Sequence, residues 1–153
     1  MDHIIEVITN PCILAAAFSW MFSQVVKAIL YAIINKKFEL ARLFGAGGMP
    51  SGHSATVTSL ALTCGFSEGF DSSQFALALF LAIIVCHDAM GVRREAGKHA
   101  RILRRLVGSS PELAEGNAKA SKLKIFIGHE PLEVLAGVIV GVASAFIIYF
   151  AMT

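Results

Sequence analysis

The sequence predicts an all-α integral membrane protein, a bundle of four transmembrane helices with a basic helical loop on the cytoplasmic side. Hydrophobic residues make up 56% of the 153 residues and charged residues only 16%, whereas about a quarter of a soluble domain is charged. The apolar residues are concentrated in four blocks, and a membrane-spanning helix needs about 20 such residues. We therefore expect a single membrane domain, residues 1–153, without a second folded module.

The predicted spans follow one another in a simple order. They cover residues 11–34, 50–66, 74–92 and 131–152. No Lys or Arg precedes the first span, so we predict a retained helix and not a secretory signal peptide. The second and fourth spans open with Pro50 and Pro131, and proline suits the first turn of a helix. The fourth span also carries Gly137 and Gly141, a small-residue pair typical of close helix packing.

The distribution of charge predicts the topology. Of the 13 Lys and Arg residues, 12 lie in the loops 35–49 and 93–130, and the other, Lys27, lies toward the same end of the first span. By the positive-inside rule these loops are cytoplasmic and both termini lie outside. The net charge of +2 gives no support to a nucleic-acid partner. The three cysteines lie in apolar stretches, where we expect packing or lipid-facing thiols.

Within the loop 93–130, residues 94–107 have the pattern of a basic amphipathic helix. One face of this helix holds Ala96, Ala100, Leu103 and Val107, and Lys98 with the arginines falls largely elsewhere. Two interpretations stay open. The helix lies at the membrane surface against anionic lipid, or it is an ordinary solvated helix of the loop.

Ionisable side chains in or beside a membrane span are costly, and they are therefore candidates for function. Six of them lie at the cytoplasmic ends of the predicted spans: Lys27, His53, His87, Asp88, His129 and Glu133. Arg93 and Arg94 follow the third span directly. Chance would divide such groups between the two faces of the membrane, so we predict one polar cluster at which four helix ends meet.

The glycine-rich run 45–53 predicts an anion site. Glycines let the backbone approach a ligand closely. A helix start adds free N–H groups and the positive end of the helix dipole. In this run the Ser51 hydroxyl can add a hydrogen bond, Gly52 lies at the helix start, and His53 can hold or deliver a proton.

His129 and Glu133 are four residues apart and so fall on one helical face. A carboxylate there can accept from one ring nitrogen and raise the basicity of the other, which makes an activated nucleophile. The other interpretation is a helix-start histidine with an incidental neighbour. Arg93 and Arg94 can bind phosphate bidentately, or they act only as topology determinants. Asp88 can hold a metal or orient an arginine, and the second role is favoured because no second carboxylate lies close by in sequence.

Three blocks of the sequence resemble a known superfamily. Met49-Pro-Ser-Gly-His53 resembles the central motif of the type 2 phosphatidic acid phosphatases and vanadium-dependent haloperoxidases. His129-x-x-x-Glu133, followed by Val-Leu-Ala-Gly137, is similar to the last motif of that superfamily. The blocks 88–98 and 128–137 resemble more closely its divergent branch, which consists of small bacterial and plastid membrane proteins. The blocks occur in the expected order, and the resemblance covers nearly the whole chain.

The resemblance implies phosphoryl transfer without a metal or another cofactor. His129 would attack phosphorus and form a phosphohistidine, and Glu133 would orient it. His53 would protonate the leaving group, usually a lipid alcohol. Ser51 and the Gly52 amide would bind phosphoryl oxygens, and vanadate would bind as a mimic of the transition state.

The chain also departs from the superfamily pattern. The first motif, a Lys and an Arg seven residues apart, is absent because Ile34 follows Lys27 at that spacing. Leu123 stands where an Arg usually precedes the histidine, Glu133 replaces an Asp, and four predicted spans replace the usual six. We therefore expect the positive charges for phosphate to come from Lys27, Arg93 and Arg94, with Asp88 in support and Arg42 and Lys124 in reserve.

These observations predict a membrane phosphatase that hydrolyses a lipid phosphate, such as a polyprenyl or glycerolipid phosphate. The alternative is a non-catalytic lipid-phosphate binder or transporter that retains the anion site. A purely structural membrane subunit would not be expected to carry intramembrane His and Asp, and a lipid-embedded site argues against haloperoxidase activity. Because four spans offer little internal packing area, we also expect a homo-oligomer, with Gly137 and Gly141 at one interface.

Overall fold

The computed structural model describes residues 2–36, 48–109 and 131–152. Within these ranges the chain is helical and contains no strand, which confirms the predicted all-α class. We number the helices in chain order as α1 (Asp2–Thr9), α2 (Pro11–Asn35), α3 (Gly52–Glu68), α4 (Ser73–Met90), α5 (Val92–Ser109) and α6 (Pro131–Met152). Helices α2, α3, α4 and α6 match the four predicted segments to within two residues at every end, and α5 contains the predicted amphipathic helix.

Short polar side chains define where the helices begin. The Asn10 side chain accepts hydrogen bonds from the backbone N–H groups of Cys12 and Ile13, at 2.9 and 3.2 Å, and so caps α2. The hydroxyl of Ser72 accepts from the N–H of Phe75 at 3.1 Å and caps α4 in the same way. The short helix α1, which ends just before the α2 cap, was not predicted, because helices were assigned only to the long apolar segments and to the basic segment 94–107.

Three of the described helices, α2, α4 and α6, are long and apolar enough to cross a membrane. Helix α3 is shorter, at 17 residues, and contains six Ser and Thr residues. Its position explains this composition, because α3 packs against α2, α4 and α6 and is screened from lipid by all three. The predicted integral membrane bundle is therefore supported by three candidate spans, and a fourth span through α3 stays a prediction.

The packing of the bundle is inverted relative to that of a soluble protein. Its largest fully buried side chains are serines and threonines, whereas large apolar side chains such as Ile34, Leu77 and Phe150 are exposed on the outside. In lipid, an apolar exterior carries no penalty, and small interior residues let the helix backbones approach closely. The burial pattern therefore has the form expected of a protein whose solvent is hydrocarbon.

The glycine pair of α6 packs inside the protein, which corrects its predicted role as an interface between subunits. A Cβ added to Gly137 would lie 2.4 Å from the backbone oxygen of Ser51, and one added to Gly141 would lie 2.6 Å from that of Ala55. Both glycines are buried against α3. The homo-oligomer itself stays a prediction, but this face of α6 is already occupied within one chain.

Contacts at one end of α3 show in which direction each neighbouring helix runs. Near the C-terminus of α3, the Tyr149 hydroxyl of α6 donates to the Phe66 carbonyl at 3.0 Å, and the Phe70 ring packs edge-on against Phe75 of α4. Cys12 of α2 lies within hydrogen-bonding reach of Cys64 at the same end. Helices α3 and α6 are therefore parallel to each other, and α2 and α4 run the opposite way. The end that holds the starts of α3 and α6 and the last turns of α2 and α4 is called the site end below.

Candidate functional site

The starts of α3 and α6 are joined at the site end. The backbone N–H of Ser51 donates to the Glu133 carbonyl at 2.9 Å, and Gly137 packs against Ser51 one turn further along α6. Ser51 also caps α3, because its Oγ accepts from the N–H of Ser54 at 3.4 Å. The two sequence blocks that carry the predicted chemistry therefore meet in space at their helix starts.

The Ser51 hydroxyl is fully buried and already engaged. Besides the cap, its Oγ accepts a hydrogen bond from the Ser54 hydroxyl at 3.0 Å. In this arrangement Ser51 organises the first turn of α3. Its predicted contact with phosphoryl oxygens stays a prediction, and it would use the hydroxyl hydrogen, which neither bond consumes.

Lys27 of α2 reaches across to the start of α3. A Cβ built on Gly52 would lie 3.6 Å from Lys27 Nζ and 3.7 Å from Trp20 Cδ1, and one built on Gly48 would lie 4.0 Å from Lys27 Cδ. Gly48 has a φ of +91°, which favours glycine. Gly48 and Gly52 therefore lie against the Lys27 side chain, and Gly52 places no side chain of its own beside the ammonium group.

The ammonium group of Lys27 is buried with few partners. The residue is 9% exposed, and its Nζ donates to Gln24 Oε1 at 3.0 Å. An ammonium group has three N–H donors. Within the described ranges no other acceptor forms a hydrogen bond with Nζ, and no carboxylate lies close enough for an ion pair. A buried cation with donors to spare, beside a helix start, is an electrostatic setting that attracts an anion.

Glu133 and His53 lie at the borders of this cluster. Glu133 is half-buried in the first turn of α6 and interacts electrostatically with Lys27 across the site. His53 is exposed on the first turn of α3, immediately after Gly52. The carboxylate therefore partly offsets the lysine charge, and the imidazole lies where it can reach a group bound at the same helix start.

Several predicted site residues lie partly or wholly outside the described positions. His129 precedes the described start of α6, so its pairing with Glu133 stays a prediction. Arg93 and Arg94 lie in the first turn of α5, directly after the end of α4, but their side chains are not described. Asp88 is half-buried in the last turn of α4. The site end thus holds Lys27, Ser51, Gly52, His53, Asp88 and Glu133 on described helices.

A row of buried hydroxyl groups leads away from Lys27, and sequence reasoning did not assign it a role. The side-chain oxygens of Ser19, Ser23, Ser59 and Thr63 are buried, and none has a hydrogen-bond partner among the described residues. On α2 the polar positions Ser19, Ser23 and Lys27 are four residues apart, which places all three on one face of the helix. That spacing is the signal by which this polar face could have been recognised in the sequence.

Comparisons with known proteins agree on one family. The family model described as "Divergent PAP2 family" matches residues 8–144. The uncharacterized membrane protein YuiD of Bacillus subtilis (strain 168) is 36% identical over 158 aligned residues, which cover 96% of this chain and 99% of YuiD. No solved structure matches the chain. The match over nearly the whole length, with the helix starts that carry both motifs brought together, shows that the chain belongs to the divergent PAP2 family.

Proposed function

We propose that the protein is a membrane phosphatase that hydrolyses a lipid phosphate at the site end, through a phosphohistidine on His129. The observation that carries the proposal is the buried ammonium of Lys27 beside Gly52 at the start of α3, with Gln24 as its one hydrogen-bond partner among the described residues. Charge-assisted hydrogen bonds from an ammonium and from helix-start N–H groups are the usual means of holding a phosphate. Lys27 would thereby supply the charge that the first superfamily motif normally provides.

The reaction divides into two displacements at phosphorus. In the first, a ring nitrogen of His129 attacks phosphorus, the bond from phosphorus to the lipid oxygen breaks, and His53 protonates that oxygen. In the second, His53 takes a proton from water, the water oxygen attacks phosphorus, and the bond to His129 breaks to release inorganic phosphate. Glu133 would accept a hydrogen bond from the other ring nitrogen of His129 and stabilise its positive charge.

Lys27 would accelerate the reaction most if its contacts with the phosphoryl oxygens strengthen as negative charge develops on them in the transition state. Its low exposure matters here, because electrostatic interactions are stronger where water is excluded. The ammonium is held by Gln24 before any ligand arrives, so little reorganisation is needed. The Gly52 position allows the phosphoryl group to approach Nζ without a side chain in the way.

An apolar groove on α3 supports a lipid as the substrate. It has a volume of about 330 Å³ and lies between α3, α4 and α6, with Thr58, Leu79, Ala82 and Val142 among its lining residues. Thr58 follows Ser51 by seven residues, which is about 10 Å along the helix axis. A substrate with its phosphate at the helix start and a hydrocarbon chain in this groove would match both the polarity and the spacing of the protein surface.

Activity should depend on His129. Purified protein is expected to release inorganic phosphate from lipid phosphates, and His129→Ala should reduce the rate by at least about 1,000-fold because it removes the nucleophile. The exposed His3 on α1 provides a matched control, and His3→Ala should retain the wild-type rate. Unchanged phosphate release by His129→Ala would exclude the phosphohistidine mechanism.

Filling the groove should affect long-chain substrates selectively. Ala82 is buried in the groove wall, and Ala82→Phe should raise KM for a long-chain lipid phosphate by about tenfold, the effect expected when a few methylene groups lose their contacts. Hydrolysis of a short-chain phosphate should be little changed. Leu81→Phe, on the exposed side of α4, serves as the control. Equal effects of Ala82→Phe on both substrates would argue against a chain in the groove.

The second candidate function is a lipid-phosphate binder without turnover. It is favoured by the electrostatic coupling of Lys27 to Glu133, because a carboxylate that offsets a cation is less available to orient a nucleophile. The presence of Leu123 in place of the usual Arg points the same way. Saturable binding of lipid phosphate and of vanadate, without release of phosphate, would support this function in place of the phosphatase.

A further inference from the structure

Helix α5 leaves the membrane bundle at a fixed place. It begins one residue after α4 ends, and that residue, Gly91, breaks the helix with a φ of −97° and a ψ of −98°. The Gly91 N–H still donates to the His87 carbonyl at 2.9 Å, which closes the last turn of α4. Because α4 is a membrane-spanning candidate, α5 starts at the level of the bilayer where α4 emerges.

One side of α5 carries large apolar side chains that the bundle does not cover. Ile102, Leu103 and Leu106 are 54%, 58% and 57% exposed. Among the described helices, α5 packs only against α4. These three residues form a continuous patch, because Leu106 follows Leu103 by three residues and Ile102 by four, and positions three and four apart are neighbours on a helix surface. We call them the apolar patch of α5.

The charge of α5 is strongly positive. Its sequence contains six Lys and Arg residues and one acidic residue, Glu95. Glu95 already accepts a hydrogen bond from Lys98 at 2.6 Å. At about 100° of rotation per residue, the six Lys and Arg positions centre on the side of the helix opposite the apolar patch. Arg105, which is exposed, lies at the edge of that side, about 160° from Leu103 and about 60° from Ile102. The helix therefore combines an uncovered apolar side with a cationic side.

An uncovered apolar side together with a cationic side suits the surface of a lipid bilayer better than bulk water. In water, three adjacent large apolar side chains would stay hydrated, and such patches on soluble surfaces mark interaction sites. At a bilayer surface they reach the acyl boundary while Lys and Arg side chains meet the phosphates of anionic lipids. The one-residue connection at Gly91 holds α5 at that boundary, and the positive charge selects anionic headgroups.

We propose that α5 lies in the headgroup region of the leaflet where α4 ends, with the apolar patch in the acyl boundary and its basic residues bound to anionic lipid phosphates. This interaction is independent of the phosphatase reaction. It anchors the site end to one leaflet and enriches anionic lipid beside it. The same placement of α5 is expected whether the protein is a phosphatase or a lipid-phosphate binder without turnover.

Tryptophan fluorescence tests the placement, because the chain contains a single tryptophan, Trp20. In a Trp20→Phe background, Leu103→Trp and Arg105→Trp are reconstituted in nanodiscs containing phosphatidylglycerol, and each is quenched by tail-brominated lipid and by aqueous iodide. Leu77→Trp, at a lipid-exposed position of α4, confirms insertion. We expect brominated lipid to quench Leu103→Trp several-fold more than Arg105→Trp, and iodide to show the opposite order.

The lipid selectivity is tested in mixed nanodiscs at equal mole fractions. Brominated phosphatidylglycerol in a phosphatidylcholine background should quench Leu103→Trp at least twofold more than brominated phosphatidylcholine in a phosphatidylglycerol background. The difference should shrink as salt is raised, since salt screens surface charge. Equal quenching would overturn the anionic preference.

Two results would overturn the placement of the helix. Iodide quenching of Leu103→Trp as strong as that of Arg105→Trp would mean a solvated helix. Protection of Leu103→Trp from both quenchers would mean that protein, and not lipid, covers the apolar patch. Native mass spectrometry of the wild-type protein should find anionic lipids retained on it. Loss of these lipids in Arg105→Glu would support the same placement.

Discussion

Replacing Lys27 by methionine should strongly weaken phosphate binding at the site end without unfolding the protein. The ammonium group is the cation that the described structure places beside Gly52, and charge-assisted hydrogen bonds of this kind contribute about 1.5–3 kcal/mol each. Losing them should weaken vanadate or lipid-phosphate binding by about 10- to 100-fold. Lys36→Met, at an exposed lysine just beyond α2, should bind as the wild type does.

The stability of Lys27→Met separates a functional lysine from a structural one. A buried cation is costly to hold in a folded protein, and the one hydrogen-bond partner of Lys27 Nζ among the described residues, Gln24, is neutral. Apolar replacements of buried charged groups are often neutral or stabilising. We therefore expect Lys27→Met to unfold in detergent at a temperature equal to or above that of the wild type. A destabilised variant that retains vanadate binding would show that Lys27 maintains the fold and is not the phosphate ligand.

Gly137→Val should strongly destabilise the packing of α6 against α3. Even a Cβ at this position would approach the Ser51 carbonyl oxygen to 2.4 Å and the Ser54 Cβ to 3.0 Å. The first of these atoms belongs to the backbone, so the contact can be relieved only by separating α6 from α3. Overpacking costs about 1–3 kcal/mol, and we expect a value near the upper end of that range.

The same substitution should also disable the site. Separating α6 from α3 breaks the hydrogen bond between the Ser51 N–H and the Glu133 carbonyl, which joins the two motifs. Phosphate binding should therefore fall together with the midpoint of thermal unfolding. Ala143→Val, on the exposed side of α6, is the matched control and should change stability by less than about 0.5 kcal/mol. If Gly137→Val were as stable as Ala143→Val, the close packing of α3 and α6 would be wrong.

The helices were predictable because local signals agreed with the tertiary structure. The apolar runs of α2, α4 and α6 are long, and Pro11, Pro131 and the polar residues before α4 mark their starts. Helix α3 is the instructive case. Its hydroxyl-rich sequence is weak as a membrane signal, and the reason is visible only in three dimensions, where its neighbours shield it from lipid.

Predictions about the site depended on which helices pack together. The spacing in sequence could place Gly137 and Gly141 on one face, but it could not tell whether α3 or another subunit lies against that face. Likewise, Lys27 was recognisable as a costly intramembrane charge, whereas its approach to Gly52 follows from the packing of α2 on α3. Charge and motif spacing thus identified the candidate groups, and the helix packing determined which of the described ones meet.

The most direct test of the proposed function is to trap the covalent intermediate. Wild-type protein is mixed with a lipid phosphate labelled with ³²P, quenched within the first turnover, and examined for label on the protein. We predict a label that is stable to base, labile to acid and absent from His129→Ala, as expected for a phosphohistidine. Phosphate release without any protein-bound label, or a label that persists in His129→Ala, would contradict the proposed function.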